Sequence, residues 1–246
     1  TPPEIARSLL AAGESKARLP FGKMLLLAIL AGAYIALAGV GATAAAVTVE
    51  SGSLAKLLSA CVFPAGLSMV ILAGSELFTG NCLMVMALLE RRITPAQLLR
   101  NWLTVYLGNA VGGAAVAALA VYSHTASLFG DGLARSMVSI AESKAALGFG
   151  DAFLRGVLCN FLVCLAVWMA PASKRAEGKV IALFFPILLF VLCGYEHCIA
   201  NLYYLPAGAF AAAEYGMETT LTLAGCLENL AAVTLGNLVG GAALGV

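Results

Sequence analysis

Long apolar segments constrain this chain more than any other feature. Short charged clusters separate six such segments, and each is long enough for a helix to cross a bilayer, which takes about 20 apolar residues. Of the 246 residues, 61% are hydrophobic and only 11% are charged, which excludes an ordinary water-soluble domain. The sequence therefore predicts an all-α membrane protein with segments at roughly 20–48, 55–89, 97–122, 149–171, 179–212 and 221–246.

The positive charges predict the orientation. Six spans place both ends of the chain on one side, and ten of the fourteen Lys and Arg residues fall on that side. Because cytoplasmic loops carry an excess of Lys and Arg, we expect both termini to be cytoplasmic, with the chain in the inner (plasma) membrane. Residues 1–19 suit either a helix on the cytoplasmic interface or a frayed tail. The first apolar run is too long for a signal peptide.

The chain contains an internal repeat. "GSELFTGN" at 74–81 and "GYEHCIAN" at 194–201 both read G-x-E-x-x-x-x-N, at an offset of 120. "NWLTVYLGNAVGGAA" from Asn101 and "NLAAVTLGNLVGGAA" from Asn229 share a second pattern at an offset of 128. The two halves, about 20–122 and 149–246, hold three spans each. An odd number means that they enter the membrane from opposite faces, so a single transmembrane domain of inverted repeats is predicted.

The first motif lies near the middle of the second span in each half. Glycine favours leaving a helix, and Glu and Asn can satisfy the N–H groups that a break exposes. We therefore predict that the second and fifth spans are broken, with half-helices at about 57–73, 80–89, 180–193 and 200–212. Their expected structural caps are Glu76, Asn81, Glu196 and Asn201. Irregular backbone at this depth is tolerated where it lines a pathway.

His197 is an ionisable residue at membrane depth, and such residues usually have a functional role. The alternative is a neutral histidine that only hydrogen-bonds to a neighbouring Asn or Glu. Half-helix N-termini favour an anion. A bare anion in low dielectric costs on the order of 20 kcal/mol, whereas protonating a carboxylate at neutral pH costs roughly 5 kcal/mol. A histidine that donates or relays a proton would lower the barrier. A hydrated channel for the bare anion remains the other possibility.

Five blocks resemble the formate/nitrite transporter family, in order and over nearly the whole chain: "GSELFTGN", "NWLTVYLGN", "LCNFLVCLAVWMA", "GYEHCIANLYYLP" and "VTLGNLVGG". The resemblance implies an aquaporin-like protomer of six spans with two broken helices. It also implies a homopentamer with one pathway in each protomer. The implied substrates are formate, nitrite, hydrosulfide or related small monovalent anions, commonly coupled to protons.

The resemblance also implies roles for individual residues. The family's central histidine falls on His197 and its threonine on Thr79. Asparagines of the substrate pathway match Asn237 and Asn160; the alternative for these buried asparagines is hydrogen bonding between helices. A lysine that draws anions into the outer vestibule matches Lys144. The hydrophobic constrictions fall on Phe63, Leu67, Leu77, Phe78, Val163 and Phe190. The alternative role for these apolar side chains is packing alone.

Competing functions lack their motifs. An aquaporin-like channel for neutral solutes needs two NPA motifs, and a membrane enzyme needs a nucleophile with its base or a metal cluster; the sequence contains neither. The seven cysteines form no CxxC and are expected to pack as small residues. We therefore predict transport of formate or nitrite, with hydrosulfide still open. Protons and membrane lipid are the other expected partners, and no catalytic residue, metal, cofactor or nucleic acid is expected.

Overall fold

The computed structural model describes residues 1–245, and no β-strand occurs among them. Val246, the last residue of the predicted sixth segment, lies outside the described residues. The helices are α1 (Pro2–Ala17), α2 (Phe21–Ala46), α3 (Gly52–Val62), α4 (Pro64–Ala73), α5 (Phe78–Asn81), α6 (Val85–Leu89), α7 (Pro95–Tyr122), α8 (Gly132–Ala145), α9 (Phe149–Met169), α10 (Ala176–Leu192), α11 (Cys198–Glu214) and α12 (Leu223–Gly245). The predicted all-helical class is confirmed.

Five helical stretches within residues 1–245 are long and apolar enough to cross a membrane. They are α2, α3 with α4, α7, α9 with the turn that follows it, and α12. Their outer faces carry leucines such as Leu26, Leu107 and Leu119, which are 64%, 62% and 69% exposed. An apolar surface of this kind suits contact with lipid or with another apolar surface. The remaining apolar helices, α5 with α6, α10 and α11, are shorter.

Two pairs of helices cross at very short range. α7 packs along α2, and α12 packs along α9. A Cβ atom on Gly112 would overlap the carbonyl oxygen of Ile29, and a Cβ atom on Gly240 would overlap that of Val157. Small residues that let backbones approach are typical of helix interfaces in membranes. The repeated L-G-N-x-V-G-G-A-A pattern therefore marks two equivalent helix crossings.

Gly112→Ala should lower stability by about 2 kcal/mol, because the added methyl group meets backbone that cannot move without separating α2 from α7. Gly240→Ala should have a similar effect. Gly150→Ala is the matched control, since nothing lies within 4 Å of a Cβ atom at that position. Thermal unfolding of the three variants in one detergent checks this. Equal midpoints for Gly112→Ala and Gly150→Ala would contradict it.

α1 and α8 pack outside the long helices, α1 against α6 and α8 against α11. Arg92 donates to Glu14 of α1 at 2.9 Å. Glu142 of α8 accepts from the backbone N–H of Thr220 at 2.7 Å and from the Thr219 hydroxyl at 2.9 Å. The bond from the Thr220 N–H is the main cause that lowers the pKa of Glu142 from its ordinary value. α1 is thus fixed to the segment before α7, and α8 is fixed to the segment before α12.

Candidate functional site

The helices are interrupted near both copies of the G-x-E-x-x-x-x-N motif. Residues 74–77 separate α4 from α5, and residues 193–197 separate α10 from α11. Gly74 and Gly194 take left-handed backbone angles, with φ of 76° and 69°, which glycine adopts at little cost. The chain is then extended up to the start of the next helix. The predicted ends of the half-helices agree with these elements to within a few residues. The largest difference is at the first half-helix, which is predicted from residue 57 and begins with α3 at Gly52.

Asparagines from α7 and α12 brace the two breaks. The Asn109 oxygen accepts the first N–H of α5, from Phe78, at 3.0 Å, and its amide donates to the Glu76 carbonyl at 2.9 Å and to α2. Asn237 makes the same bonds to the first N–H of α11, to the Glu196 carbonyl and to α9, at 2.9, 2.9 and 2.8 Å. Both N–H groups and the oxygen of Asn237 are thereby engaged. This geometry assigns Asn237 to bracing the break rather than to the predicted substrate pathway.

Each break also carries a buried carboxylate paired with a lysine. Lys16 of α1 donates to Glu76 at 2.7 Å, and Lys144 of α8 donates to both oxygens of Glu196 at 2.9 Å. The asparagine five residues after each glutamate donates to the same carboxylate, at 2.8 and 2.7 Å. Buried charges that are paired and hydrogen-bonded in this way avoid most of the cost of burial. The two clusters hold α1 and α8 against the breaks.

The predicted capping role of Glu76, Asn81, Glu196 and Asn201 is wrong. Within residues 1–245, none of these four side chains accepts a hydrogen bond from a helix N–H. The first N–H groups of the half-helices go to the bracing asparagines and to His197 instead. The four predicted residues are structural, but the two glutamates act by pairing with a lysine and the two asparagines act by donating to those glutamates.

The repeat extends further than predicted, into the two polar helices. "ESKARLPFG" at 14–22 and "ESKAALGFG" at 142–150 share seven of nine residues at an offset of 128. This pattern places Lys16 and Lys144 in equivalent positions, as their ion pairs show. The signal was present in the sequence but lies largely outside the apolar segments. Each repeat therefore begins with a polar helix.

The two breaks meet at a buried hydrogen bond between Thr79 and His197. The Thr79 Oγ1 atom lies 3.0 Å from His197 Nε2, and both residues are buried. His197 Nδ1 accepts the backbone N–H of Ala200 at 3.0 Å and so caps α11. A neutral imidazole has one N–H. Because Nδ1 is an acceptor, the hydrogen must be on Nε2, where it donates to Thr79.

This pair presents two neutral donors at one point. The Nε2–H of His197 donates to Thr79 Oγ1, whereas the Thr79 hydroxyl hydrogen has no acceptor among residues 1–245. Donors at a buried position suit the oxygen atoms of a small anion. Protonation of Nδ1 would break the bond to Ala200 and place a positive charge at the N-terminus of α11, where the helix dipole opposes it. The structure therefore favours the neutral form of His197 when no anion is present.

Apolar side chains flank the pair on both sides. The six predicted constriction residues belong to one buried cluster. The Phe63 and Phe190 rings pack edge to face at 5.7 Å, and the Phe190 ring stacks on His197 at 5.8 Å. Leu67 and Leu77 lie on the other side of the pair, on a cavity wall. The other two residues, Phe78 and Val163, lie on the wall of neither of the two cavities described below. Phe78 packs edge-on against Tyr106, and Val163 lies within the buried cluster.

Two cavities approach the pair from opposite sides. The α8-side cavity has a volume of about 320 Å³, and its wall includes His197 with the cations Lys56, Lys144 and Arg155. The α1-side cavity has a volume of about 660 Å³, and its wall includes the cations Lys16, Lys174 and Lys179. Cations outnumber acidic side chains on both walls, which favours a negatively charged ligand.

Asn160, the other predicted pathway asparagine, supports Thr79 from behind. Its amide donates to the Asn237 carbonyl at 2.7 Å and to the Thr79 carbonyl at 3.3 Å. Cys164 donates to the same Thr79 carbonyl. Asn160 therefore holds Thr79 in place.

Among residues 1–245, no group of three or more His, Cys, Asp or Glu side chains is arranged to bind a metal.

The comparisons with known proteins agree on one family. The family model described as "Formate/nitrite transporter" matches residues 3–246. This chain belongs to the formate/nitrite transporter family. A probable formate transporter of Methanothermobacter thermautotrophicus is 38% identical, over 98% of this chain and 93% of the relative. The formate channel FocA of Haemophilus influenzae is 39% identical, over 87% of this chain and 81% of the relative.

Solved structures of the family share the fold. An ion channel of this family superposes with a TM-score of 0.88 at 30% identity, covering 98% of this chain and 95% of its own. A pentameric formate channel with formate bound superposes with a TM-score of 0.81 at 32% identity, covering 91% and 94%. The protein is therefore an integral membrane protein of a family of channels and transporters.

Proposed function

We propose that the protein moves formate, with nitrite as a second substrate, across the inner (plasma) membrane. The Thr79–His197 hydrogen bond carries this proposal, because two neutral donors meet between apolar side chains and cationic cavities on both sides. Formate and nitrite each offer two oxygen acceptors. Hydrosulfide or another weak-acid anion is the alternative within the family, but hydrosulfide accepts fewer hydrogen bonds. Lysines in both cavities favour an anion over the neutral solute of an aquaporin-like channel.

The proposed topology has six spans in two inverted repeats, with the second and fifth spans broken. Its support is the constant offset between equivalent contacts: the bonds of Asn109 recur at Asn237, and the ion pair of Lys16 recurs at Lys144. With the positive charges concentrated beside α1, both termini face the cytoplasm. The α8-side cavity then opens to the outside and the α1-side cavity to the cytoplasm.

The chemistry at the centre follows from the tautomer of His197. An arriving anion accepts the Nε2–H and the Thr79 hydroxyl hydrogen, and its charge stabilises an imidazolium. Nδ1 then takes a proton from a hydronium ion that enters through the α8-side cavity, leaving water, and gives up its bond to Ala200. Transfer of the Nε2 proton to a carboxylate oxygen produces neutral formic acid and a neutral imidazole that carries its hydrogen on Nδ1. Proton exchange with water restores the Nε2–H tautomer and the helix cap.

This proton coupling lowers the free-energy barrier to crossing the hydrophobic constrictions, which is mainly the cost of burying a charge. Burial of a bare anion costs on the order of 20 kcal/mol in the idealised limit, whereas protonation of the carboxylate at neutral pH costs roughly 5 kcal/mol. The neutral acid can pass Leu67 and Leu77 on one side, or Phe63 and Phe190 on the other. These apolar side chains reject ions that cannot be protonated.

A homopentamer in the lipid bilayer is the proposed assembly. The relative solved with formate bound is described as a pentamer, and exposed leucines on the long helices of this chain provide apolar surface for contacts between protomers or with lipid. Each protomer would hold its own pathway, since both breaks and both cavities belong to one chain.

Stopped-flow uptake into proteoliposomes tests the proposed function. Formate and nitrite should enter faster than they enter protein-free vesicles, and an inward proton gradient should increase both rates. Chloride is the control anion, because its conjugate acid is too strong to form at the centre. The proposal fails if none of the small weak-acid anions enters, or if chloride enters as fast as formate.

A further inference from the structure

The charge of Lys144 is already compensated within the α8-side cavity. Its ammonium group donates to both oxygens of Glu196 at 2.9 Å and lies 5.3 Å from the centre of the Tyr204 ring. The Lys144 side chain is only 15% exposed. A lysine paired with a carboxylate at this distance adds little net potential to the cavity. The attraction of an anion to this cavity must therefore come largely from other groups.

Two further cations in the same cavity lack such a partner. Lys56 of α3 and Arg155 of α9 line the cavity and are exposed. Within residues 1–245, no carboxylate lies within 4.0 Å of either side chain's nitrogen atoms. The Lys56 ammonium lies 4.0 Å from the position of a Cβ atom on Gly194, and the Arg155 carbonyl accepts the Glu196 N–H at 3.3 Å. Both cations therefore lie beside the second break.

The α1-side cavity also contains one paired lysine and two unpaired cations. Lys16 is paired with Glu76, whereas Lys174 and Lys179 have no carboxylate within 4.0 Å among the described residues. The paired lysines are equivalent in the repeat, but the unpaired cations are not. The positions equivalent to Lys56 and Arg155 are Ala176 and Leu27. Unpaired cations thus recur at both mouths without being imposed by the repeat, which points to a requirement of the substrate.

We propose that Lys56 and Arg155 capture the substrate anion at the α8-side mouth, and that Lys144 is a structural partner of Glu196. A narrow cavity with an excess of positive charge focuses the field of its charges and can raise local anion concentration and on-rates by about 10-fold or more. The inference rests on the proposed function, because a small monovalent anion is the ligand. It replaces Lys144, the residue expected from the sequence, with two residues for which no role was predicted.

Uptake of formate into right-side-out membrane vesicles is the first measurement, at formate concentrations well below saturation. At about 0.01 M ionic strength, where screening extends over about 30 Å, Lys56→Gln with Arg155→Gln should lower the initial rate about 10-fold. At about 1 M, where the screening length is about 3 Å, the rate should return to within about two-fold of wild type. Lys56→Arg with Arg155→Lys should retain the wild-type rate at both ionic strengths.

Three further variants complete the comparison. Arg135→Gln removes one positive charge from the same face, at the far end of α8, where Arg135 donates to the Gly130 carbonyl; it should leave uptake unchanged. Lys144→Gln should lower the stability of the protein, because Glu196 loses its partner. Lys144→Gln with Glu196→Gln removes both charges of the pair and leaves the net charge of the cavity unchanged. Any effect of this pair variant on uptake should be the same at both ionic strengths, since its cause is structural.

A cysteine reporter measures the potential of the cavity without transport. Ser139 is exposed on the cavity wall, so Ser139→Cys can be labelled in a protein whose cysteines at 61, 193 and 226, the ones that are not buried, are changed to serine. The ratio of labelling rates for an anionic and a cationic thiol reagent should exceed that of a free thiol. Lys56→Gln with Arg155→Gln should lower the ratio about 10-fold at low ionic strength.

The inference is overturned if Lys56→Gln with Arg155→Gln takes up formate at the wild-type rate at low ionic strength, or if its loss is equal at both ionic strengths. An unchanged labelling ratio also overturns it, as does a salt-dependent loss of uptake in Lys144→Gln with Glu196→Gln but not in Lys56→Gln with Arg155→Gln. If the wild type moves no formate, the proposed function fails, and the labelling ratio alone then decides whether Lys56 and Arg155 attract anions.

Discussion

Replacing His197 with phenylalanine should lower formate uptake about 100-fold, because an anion at the centre loses the Nε2–H donor, and a hydrogen bond to a charged group contributes about 1.5 to 3 kcal/mol. Replacement with asparagine should give a different result. The Asn amide oxygen can accept the Ala200 N–H that Nδ1 accepts at 3.0 Å, since Asn is a favoured N-cap residue. Its amide N–H can donate towards Thr79. The asparagine variant should therefore fold and admit the anion, without a group that relays a proton.

Proteoliposomes with independently set pH gradient and membrane potential separate these outcomes. Wild-type uptake of formate should accelerate with an inward proton gradient. Uptake by His197→Asn should be slow, because the apolar constrictions oppose the unprotonated anion, and it should respond to membrane potential and not to the proton gradient. Thr79→Val, which keeps the shape and removes the hydroxyl, should slow uptake without removing its dependence on protons. Proton-dependent uptake by His197→Asn that matches the wild type would refute the relay and leave His197 as a neutral donor.

The broken helices are visible in the sequence because they need residues that an apolar span otherwise avoids. Gly74 and Gly194 end their helices through left-handed turns, and Glu with Asn in an oily segment indicates buried polar contacts. The constant offset of 120 makes the interpretation stronger than either motif alone. The positions of the breaks could therefore be predicted to within a few residues. The same pattern does not say which atoms receive the hydrogen bonds.

The partners of those residues depend on how distant parts of the chain pack. Glu76 accepts from Lys16, which is 60 residues earlier, and the first N–H of α5 is accepted by Asn109 rather than by the nearer Glu76. A local rule for helix caps predicts the wrong acceptor here, because the extended segment before each half-helix brings His197 or a neighbouring helix closer than the glutamate.

The charge of a single lysine does not show whether a carboxylate compensates it. Lys144 and Lys56 both read as cations on the outer side, and only the packing of α8 against the second break pairs the first of them with Glu196. The repeat "ESKA" at 14–17 and 142–145 does, however, contain this information. Two lysines in equivalent positions near two equivalent buried glutamates indicate a repeated ion pair, which is a structural role.

Asn237→Ala and Asn109→Ala should each destabilise the protein by about 3 kcal/mol, which corresponds to a fall of roughly 10 °C in the unfolding midpoint. Each asparagine is fully buried and pairs with one backbone N–H and two backbone carbonyls around a break. Alanine leaves all three groups unpaired where water cannot replace the side chain. Leu235→Ala is the control on α12, because Leu235 is exposed on the outer face of that helix.

The loss of stability in the two alanine variants also tests whether the two breaks are equivalent. If Asn109 and Asn237 brace equivalent structures, their alanine variants should unfold at similar temperatures in one detergent and at one scan rate. Both variants should also lose formate uptake in the folded protein, because Asn237 fixes Cys198 beside His197 and Asn109 fixes Phe78 beside Thr79. Midpoints no lower than that of Leu235→Ala would contradict the brace at either site. A large fall at one asparagine alone would mean that the two breaks are held differently, although their hydrogen bonds match.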